Sequence, residues 1–258
     1  MLYDQSMKNI IDPHYRALLR QHELDDFEQL WALDLPPVDA PNLERGGHSE
    51  VAILALEGPH GSQRFFLKRQ TNHLGRSLQR PLGEPTFARE MRNIRAFERL
   101  GIPALTAAWY GERRRPGQWR AILLTPALDD HQDMMHWHQQ WPTLDPATRQ
   151  AIVESCARLL RRLHQKHWRH GSLYAKHVFL RPLSEQSNSF EARFIDLEKS
   201  RPLINARRER LRDLEVFARR LHEWDSSTWQ RFLATYLDCE LDSRLLKRWE
   251  GMFHSSRR

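Results

Sequence analysis

"HGSLYAKHVFL" (170–180) and "FIDLEKSR" (194–201) are the two stretches on which the reading of this chain turns. The first sets a histidine, a glycine and a serine ahead of a polar turn that runs into apolar "VFL". The second brings an apolar run to a stop at Asp196. A carboxylate that closes a buried strand is costly unless it is paired or metal-bound. Asp196 therefore reads as the most specific single position in the chain and as a ligand for a cation.

Moving phosphate requires bound phosphates, a divalent metal and an aimed hydroxyl more than covalent chemistry. Features matching that list occur in chain order. Lys68 lies inside the apolar run "FFLKRQ", where an ammonium group must snorkel or pair. Glu90 shares a helical face with Phe87, Ile94 and Phe97 at spacings of three and four, and a carboxylate on such a face calls for a cation. Lys68 is the candidate, giving the strand–helix ion pair that kinases use. The plain alternatives are an outward strand position for Lys68 and a helix-start charge for Glu90.

Kinases carry H-R-D-x-x-x-x-N in the catalytic loop, the Asp taking the acceptor proton and the Asn binding metal. Aligning His170 with that histidine puts Ser172 at the Asp position and His177 at the Asn position, with Lys176 beside it to meet a phosphate. Serine is no base at neutral pH without a helper, and His170 or Glu198 would have to substitute. Asp196 takes the place of the metal-binding Asp, with Leu197–Glu198 where Phe–Gly is usual. "ERGGHSEV" (44–51), with Gly46 and Gly47, reads equally as a phosphate-covering turn and as an ordinary strand entry.

Outward from these stretches, short helices are expected over 8–33, a proline-rich breaker over 34–42, and strands over 50–58 and 64–70 joined by the turn "PHGS". A glycine- and proline-marked segment (75–85) follows, then a helix from Thr86 to Leu100 stopped by Gly101 and Pro103. Strands are expected over 104–111 and 119–125. After "PALDD" (126–130) the pattern becomes helical over 146–167, with "VFLRPL" and "EARFIDL" as strands around "SEQSNSF", and helical again from Ala206. The expected architecture is α+β: a strand-rich first lobe (1–125) with one inserted helix and a helix-rich second lobe (126–258), with a cleft between them.

The blocks "NLERGGHSEV", "FFLKRQ", "GIPALTA", "HGSLYAKHVFL", "FIDLEKSR" and "RLRDLEVF" resemble those of the lipopolysaccharide kinase family, in particular its InaA-like branch, related to the WaaP-type core heptose kinases. The resemblance implies a protein-kinase-like fold and phosphorylation by ATP and Mg²⁺ of a sugar, heptose above all, in the lipopolysaccharide inner core at the cytosolic face of the inner membrane. It implies phosphate contacts for Gly46, Gly47, Lys68 and Lys176, orientation of Lys68 by Glu90, metal contact for His177 and Asp196, and catalytic roles for Ser172, Asp196 and His170. It makes Asp213 the buried carboxylate that braces the catalytic loop. Ser172 departs from the Asp of the heptose kinases, while "HGSLY" resembles the InaA-like branch. A pseudokinase that binds a nucleotide or an envelope partner, and a small-molecule kinase of aminoglycoside type, are the alternatives.

Composition fits a folded chain: 258 residues, 40% hydrophobic, with nine Trp. Two cysteines argue against a disulfide framework. "VAILAL" and "AILL" are too short to span a bilayer, and the N-terminus lacks the basic-then-apolar pattern of a signal peptide, so a cytoplasmic location is expected. The net charge of +7 favours anionic partners. Basic clusters at 112–115, 168–171 and 206–212 carry no nucleic-acid motif, which argues against RNA or DNA. They suit phosphorylated core sugar, a similar anionic glycolipid, or a peripheral contact with anionic headgroups. Three histidines at 164, 167 and 170 lack the Cys or carboxylate that a tetrahedral zinc set needs, and "HGS" lacks the G-x-S-x-G elbow of a serine hydrolase.

Overall fold

Apolar alternation in "VAILAL" and "FFLKRQ" produces the two long strands it suggests. In the computed structural model, which describes residues 9–43, 46–59, 61–77, 80–184 and 187–256, the chain divides into two compact units. One comprises Met1–Arg95 and Leu105–Ala127, the other Ala96–Ala104 and Leu128–Arg258.

The first unit begins with β1 (Ile10–Ile11), α1 (Pro13–Gln21) and α2 (Phe27–Ala32). Asp12 caps α1 by accepting the His14 amide, and Asp26 with Gln29 forms a capping box on α2. Then come β2 (His48–Gly58), β3 (Gly61–Thr71), β4 (Leu74–Ser77), β5 (Arg80–Pro85), α3 (Thr86–Leu100), β6 (Trp109–Arg115) and β7 (Gln118–Pro126). Five strands form an antiparallel sheet in the order β1-β6-β7-β3-β2. Side chains alternate across a strand. Leu54, Leu56, Phe65 and Leu67 thus join Leu19, Phe27 and Trp109 in one core, and Lys68 points to the opposite face.

Two expectations need adjusting here. In the glycine- and proline-marked segment, β4 (Leu74–Ser77) pairs antiparallel with β5 (Arg80–Pro85). The strand expected over 104–111 begins only at Trp109. Before it, Ala104 makes a lone bridge to Phe194, and Ala108 spends its amide on Leu124 and its carbonyl on Asp12, so no continuous ladder forms. Of the turn "PHGS", His60 lies outside the described residues, as do Glu44 and Arg45 of the glycine turn.

The second unit contains β8 (Gln132–Asp133), α4 (Met134–Gln139), α5 (Pro146–Gln165), β9 (Trp168–Arg169), β10 (Val178–Ser184), β11 (Ser187–Phe194), β12 (Arg201–Pro202), α6 (Ala206–Ala218), α7 (Ser226–Leu237) and α8 (Arg244–Ser256). Asp145 caps α5 through the Ala147 and Thr148 amides with Pro146 at its first position, where a missing N–H costs nothing. Buried Ile152, Cys156, Leu160 and Leu163 give α5 its core face. β10 and β11 pair as a hairpin that includes much of the polar stretch expected to loop. Phe190 packs edge-on against Trp137, which holds that extension. α6, α7 and α8 account for the helical stretch expected from Ala206 onward.

Candidate functional site

In the first unit, Lys68 sits between Val51 of β2 and Leu123 of β7. Its Nζ donates to Glu90 Oε1 at 2.6 Å. Glu90 is buried on α3. A buried carboxylate persists where an ammonium group compensates it, and this strand–helix pair is the arrangement that positions phosphates in kinases. Gln70, two residues along β3, fixes the helix. Its Oε1 accepts the Thr86 hydroxyl at 2.8 Å and the Phe87 amide at 3.1 Å, and its Nε2 donates to the His73 carbonyl at 2.7 Å. Arg92 and Arg89 of α3 also reach Glu84 of β5. Burial raises the Glu84 carboxyl and the Arg92 guanidinium more than offsets it, so the carboxyl stays below its ordinary range. No sequence pattern singles out Gln70, because its value lies in where β3 meets the start of α3.

Gly46 and Gly47 precede β2. A Cβ on Gly47 would lie 2.3 Å from the backbone carbon of Asn72. This glycine is thus required by close packing on the bend after β3. Gly46 has φ +71° with open space around it.

In the second unit the loop 170–177 is held from beneath by α6. Asp213 Oδ2 accepts the His170 amide at 2.7 Å and Oδ1 the Gly171 amide at 3.1 Å. Gly171 has φ +80°, and a Cβ there would come within 2.5 Å of the Lys199 carbonyl oxygen, so glycine is required. The Ser200 hydroxyl donates to the His170 carbonyl at 3.1 Å. Burial raises the Asp213 carboxyl, but the hydrogen bond and charge of His164 and the loop amides outweigh it and hold the carboxyl down.

His170 is fully buried. Its Nε2 bonds the Ile195 carbonyl at 2.9 Å, so that nitrogen carries the proton. Its Nδ1 accepts the Ser172 amide at 3.3 Å. Burial pushes it down to about 4, against the pull of Asp213. With both nitrogens engaged, His170 ties the loop to the strand end. This geometry opposes the expected catalytic role for His170 and its service as a substitute base. Ser172 is 5% exposed, and among the described residues its hydroxyl makes no hydrogen bond.

Asp196 follows β11 in the left-handed region, φ +57°. Such backbone is sparsely populated by residues other than glycine and clusters at functional sites. Its carboxylate is 43% exposed and lies 3.4 Å from His177 Nδ1. The same Nδ1 bonds the Ser172 carbonyl at 2.8 Å and so carries the proton, which leaves Nε2 with its lone pair. Lys176 is exposed and makes no ion pair among the described residues. The three histidines of α5 and the turn after it go separate ways. His164 Nδ1 meets the Tyr236 hydroxyl at 2.8 Å and its Nε2 meets Asp213 at 3.4 Å, His167 is exposed, and His170 is locked in the loop.

A divalent cation bound alongside nucleotide usually takes one or two protein groups and completes its shell with phosphates and water. One half-exposed carboxylate fits that requirement, and Asp196 is the residue that would hold the cation. His177, the other expected ligand, turns its protonated Nδ1 toward Asp196, so its Nε2 lone pair lies on the far side of the ring.

The chain matches the model of the "Lipopolysaccharide kinase (Kdo/WaaP) family" over residues 28–236. It is 28% identical over 214 residues to Protein InaA of Escherichia coli (strain K12), covering 82% of this chain and 95% of the relative. It is 29% identical over 117 residues to the lipopolysaccharide core heptose(I) kinase WaaP of Pseudomonas aeruginosa, covering 43% of each. Among solved structures, WaaP in complex with acyl carrier protein superposes with a TM-score of 0.66 at 24% identity, covering 96% of this chain and 99% of that one. The fold is therefore the expected α+β, protein-kinase-like one.

Proposed function

We propose that this chain, which belongs to the lipopolysaccharide kinase (Kdo/WaaP) family, transfers the γ-phosphoryl group of ATP to a sugar hydroxyl of the lipopolysaccharide inner core, heptose by likeness to the named kinase relative, at the cytosolic face of the inner membrane. The observation that carries this reading is the Lys68–Glu90 ion pair at 2.6 Å, because a strand lysine bonded to a buried helix carboxylate has a specific use in gripping nucleotide phosphates. In this reading Lys68 meets the phosphates, Glu90 holds its ammonium group in place, and Asp196, with His177 beside it, would hold Mg²⁺. Mg²⁺ there would supply charge neutralisation on the phosphate oxygens. The acceptor oxygen bonds to phosphorus as the bond to ADP breaks. Asp213 keeps the loop rigid by binding two of its amides.

The acceptor hydroxyl loses its proton without a carboxylate at position 172. That loss passes to water or to a phosphate oxygen, so catalysis rests on positioning and charge neutralisation, which carry most of phosphoryl transfer. The unassisted Ser172 hydroxyl also supports a second reading: a nucleotide-binding envelope protein that does not turn over.

The test is incubation of the purified protein with Mg-ATP and dephosphorylated core oligosaccharide, with soluble sugars and aminoglycosides as parallel acceptors. Phosphate on core heptose, absent with Asp196→Asn, supports the kinase. Nucleotide binding without transfer to any acceptor supports the second reading. Transfer to the soluble acceptors alone places the chain among small-molecule kinases. Neither binding nor transfer removes the nucleotide reading altogether.

A further inference from the structure

Between them α6 and α8 form an open groove of about 290 Å³ lined by Ala206, Arg207, Arg210, Leu245, Arg248, Trp249 and Met252. Among the described residues, three arginines there have no carboxylate partner, whereas some others of this unit do. Arg161, Arg181, Arg193 and Arg201 each meet an Asp or Glu. Arg207 instead lays its guanidinium on the Met252 sulfur, and Arg210 donates to the His164 carbonyl at 3.0 Å. Arg248 makes no hydrogen bond or ion pair among the described residues. The acids nearest in sequence on α6 are engaged elsewhere: Glu209 with Arg201 and Arg169, Asp213 with the 170–171 amides.

The groove is apolar as well as basic. Trp249 meets Tyr236 edge-on and also lines the groove. Leu245 is 45% exposed at the rim, and Ile204, just before α6, is 85% exposed. Arg208 and Arg212 on α6 and Arg244 and Lys247 on α8 add charge around it. Uncompensated guanidinium groups beside an indole and exposed aliphatic side chains are complementary to an anionic headgroup lying above acyl chains. A soluble phosphate would use the charge and leave Ile204 and Leu245 in water.

We propose that the α6–α8 groove is a docking site for the phosphodiester headgroups of an anionic phospholipid surface, with Arg207, Arg210 and Arg248 binding the headgroup and Ile204, Leu245 and Trp249 entering the interface. The proposal is independent of the phosphotransferase reading, because its readout needs no nucleotide.

The test is sedimentation of the full chain with phosphatidylcholine vesicles containing or lacking phosphatidylglycerol. Binding should require phosphatidylglycerol and weaken as salt rises. Each arginine lost should weaken it roughly fivefold, so Arg207→Glu/Arg248→Glu should abolish retention. Arg219→Glu/Arg220→Glu, which makes the same charge change at exposed positions outside the groove, should retain most of it. Ile204→Ser/Leu245→Ser should weaken retention without altering its salt dependence. Unchanged melting temperatures of the variants show that the fold survives. The proposal fails if both charge-reversal pairs weaken binding equally, since net charge alone would then explain it. It fails if inorganic phosphate binds and vesicles do not. It also fails if the vesicles do not retain the chain while the Arg207→Glu/Arg248→Glu pair abolishes binding of an acidic protein.

Discussion

Asp213 Oδ2 lies 2.7 Å from the amide nitrogen of His170. Through that bond and its neighbour to Gly171, a carboxylate on α6 sets the backbone of a loop more than forty residues earlier. Asp213→Ala would orphan the buried His170 amide and the part-buried Gly171 amide and remove one of the two partners of His164. At about 1–3 kcal/mol for each unsatisfied group, the expected cost is about 3 kcal/mol or more, read as a lower urea midpoint with an unchanged slope.

The same cluster makes stability fall in acid. His164 is lowered chiefly by burial, with the Asp213 hydrogen bond opposing. The unfolded chain therefore takes up a proton near the ordinary value of 6.5, before the folded chain does. Stability from neutral His164 is complete above 6.5 and is lost as pH drops toward the folded value. Asp213, held below its ordinary 3.8, adds a further loss as pH falls through its folded value. Urea titrations between pH 7 and 5 should show declining stability. His164→Gln should be less stable at pH 7, with a flatter decline. An equal slope in both proteins would remove His164 as the cause.

Lys68→Met takes the ammonium group away from the buried Glu90 carboxylate, and breaking one side of a buried ion pair costs about 3–5 kcal/mol. Lys68→Met/Glu90→Leu replaces both charges with apolar groups and should recover much of that loss. A double-mutant cycle of urea midpoints measures the coupling. If the double variant is as unstable as the sum of the singles, the two residues do not stabilise one another.

Much of this was readable from the sequence, for reasons that differ by residue. Lys68 and Glu90 stood out because each breaks an apolar pattern of known period, two along β3 and near 3.6 along α3. The helices expected over 86–100 and 146–167 carried apolar periodicity, and the first also carried its stop signal, Gly101. Gln70, His164 and Tyr236 gave no signal, since a buried polar residue is explained by partners that only tertiary structure supplies. His164 even suggested a metal cluster with His167 and His170, whereas its partners are Tyr236 and Asp213. Gly47 resembled a phosphate turn, yet the backbone of Asn72 and His73 already demands a glycine there. β11 was underestimated at its start because "SNS" is polar, and cross-strand pairing with β10 outweighed that local preference.

Asp196→Asn should leave the fold intact, because the side chain is half-exposed and asparagine tolerates left-handed backbone. It removes the carboxylate charge that would hold the metal in the proposed reading. With nucleotide at 100 times its dissociation constant, the native chain should gain about 2.7 kcal/mol, and the variant should gain little. Thermal denaturation with and without Mg-ATP, alongside EDTA controls, provides the measurement. A full shift in the variant would take Asp196 out of the metal site.

Ser172→Asp tests the missing base directly. The loop backbone that would present a carboxylate is already built: the Ser172 amide meets His170 Nδ1, its carbonyl meets His177 Nδ1, and Asp213 holds the two residues before it. His170 stays neutral, so it offers no cation to quench the new group. If the surrounding machinery is competent, supplying a general base should speed transfer by ~10²–10⁴-fold. The gain should appear in kcat with little change in KM for ATP, since the nucleotide contacts lie elsewhere, and it should grow as the new carboxylate ionises with rising pH. Burying a charge at a position only 5% exposed should cost some stability. A variant that folds, binds Mg-ATP and still transfers no faster would show that more than the base has been lost. That result would favour the non-catalytic reading.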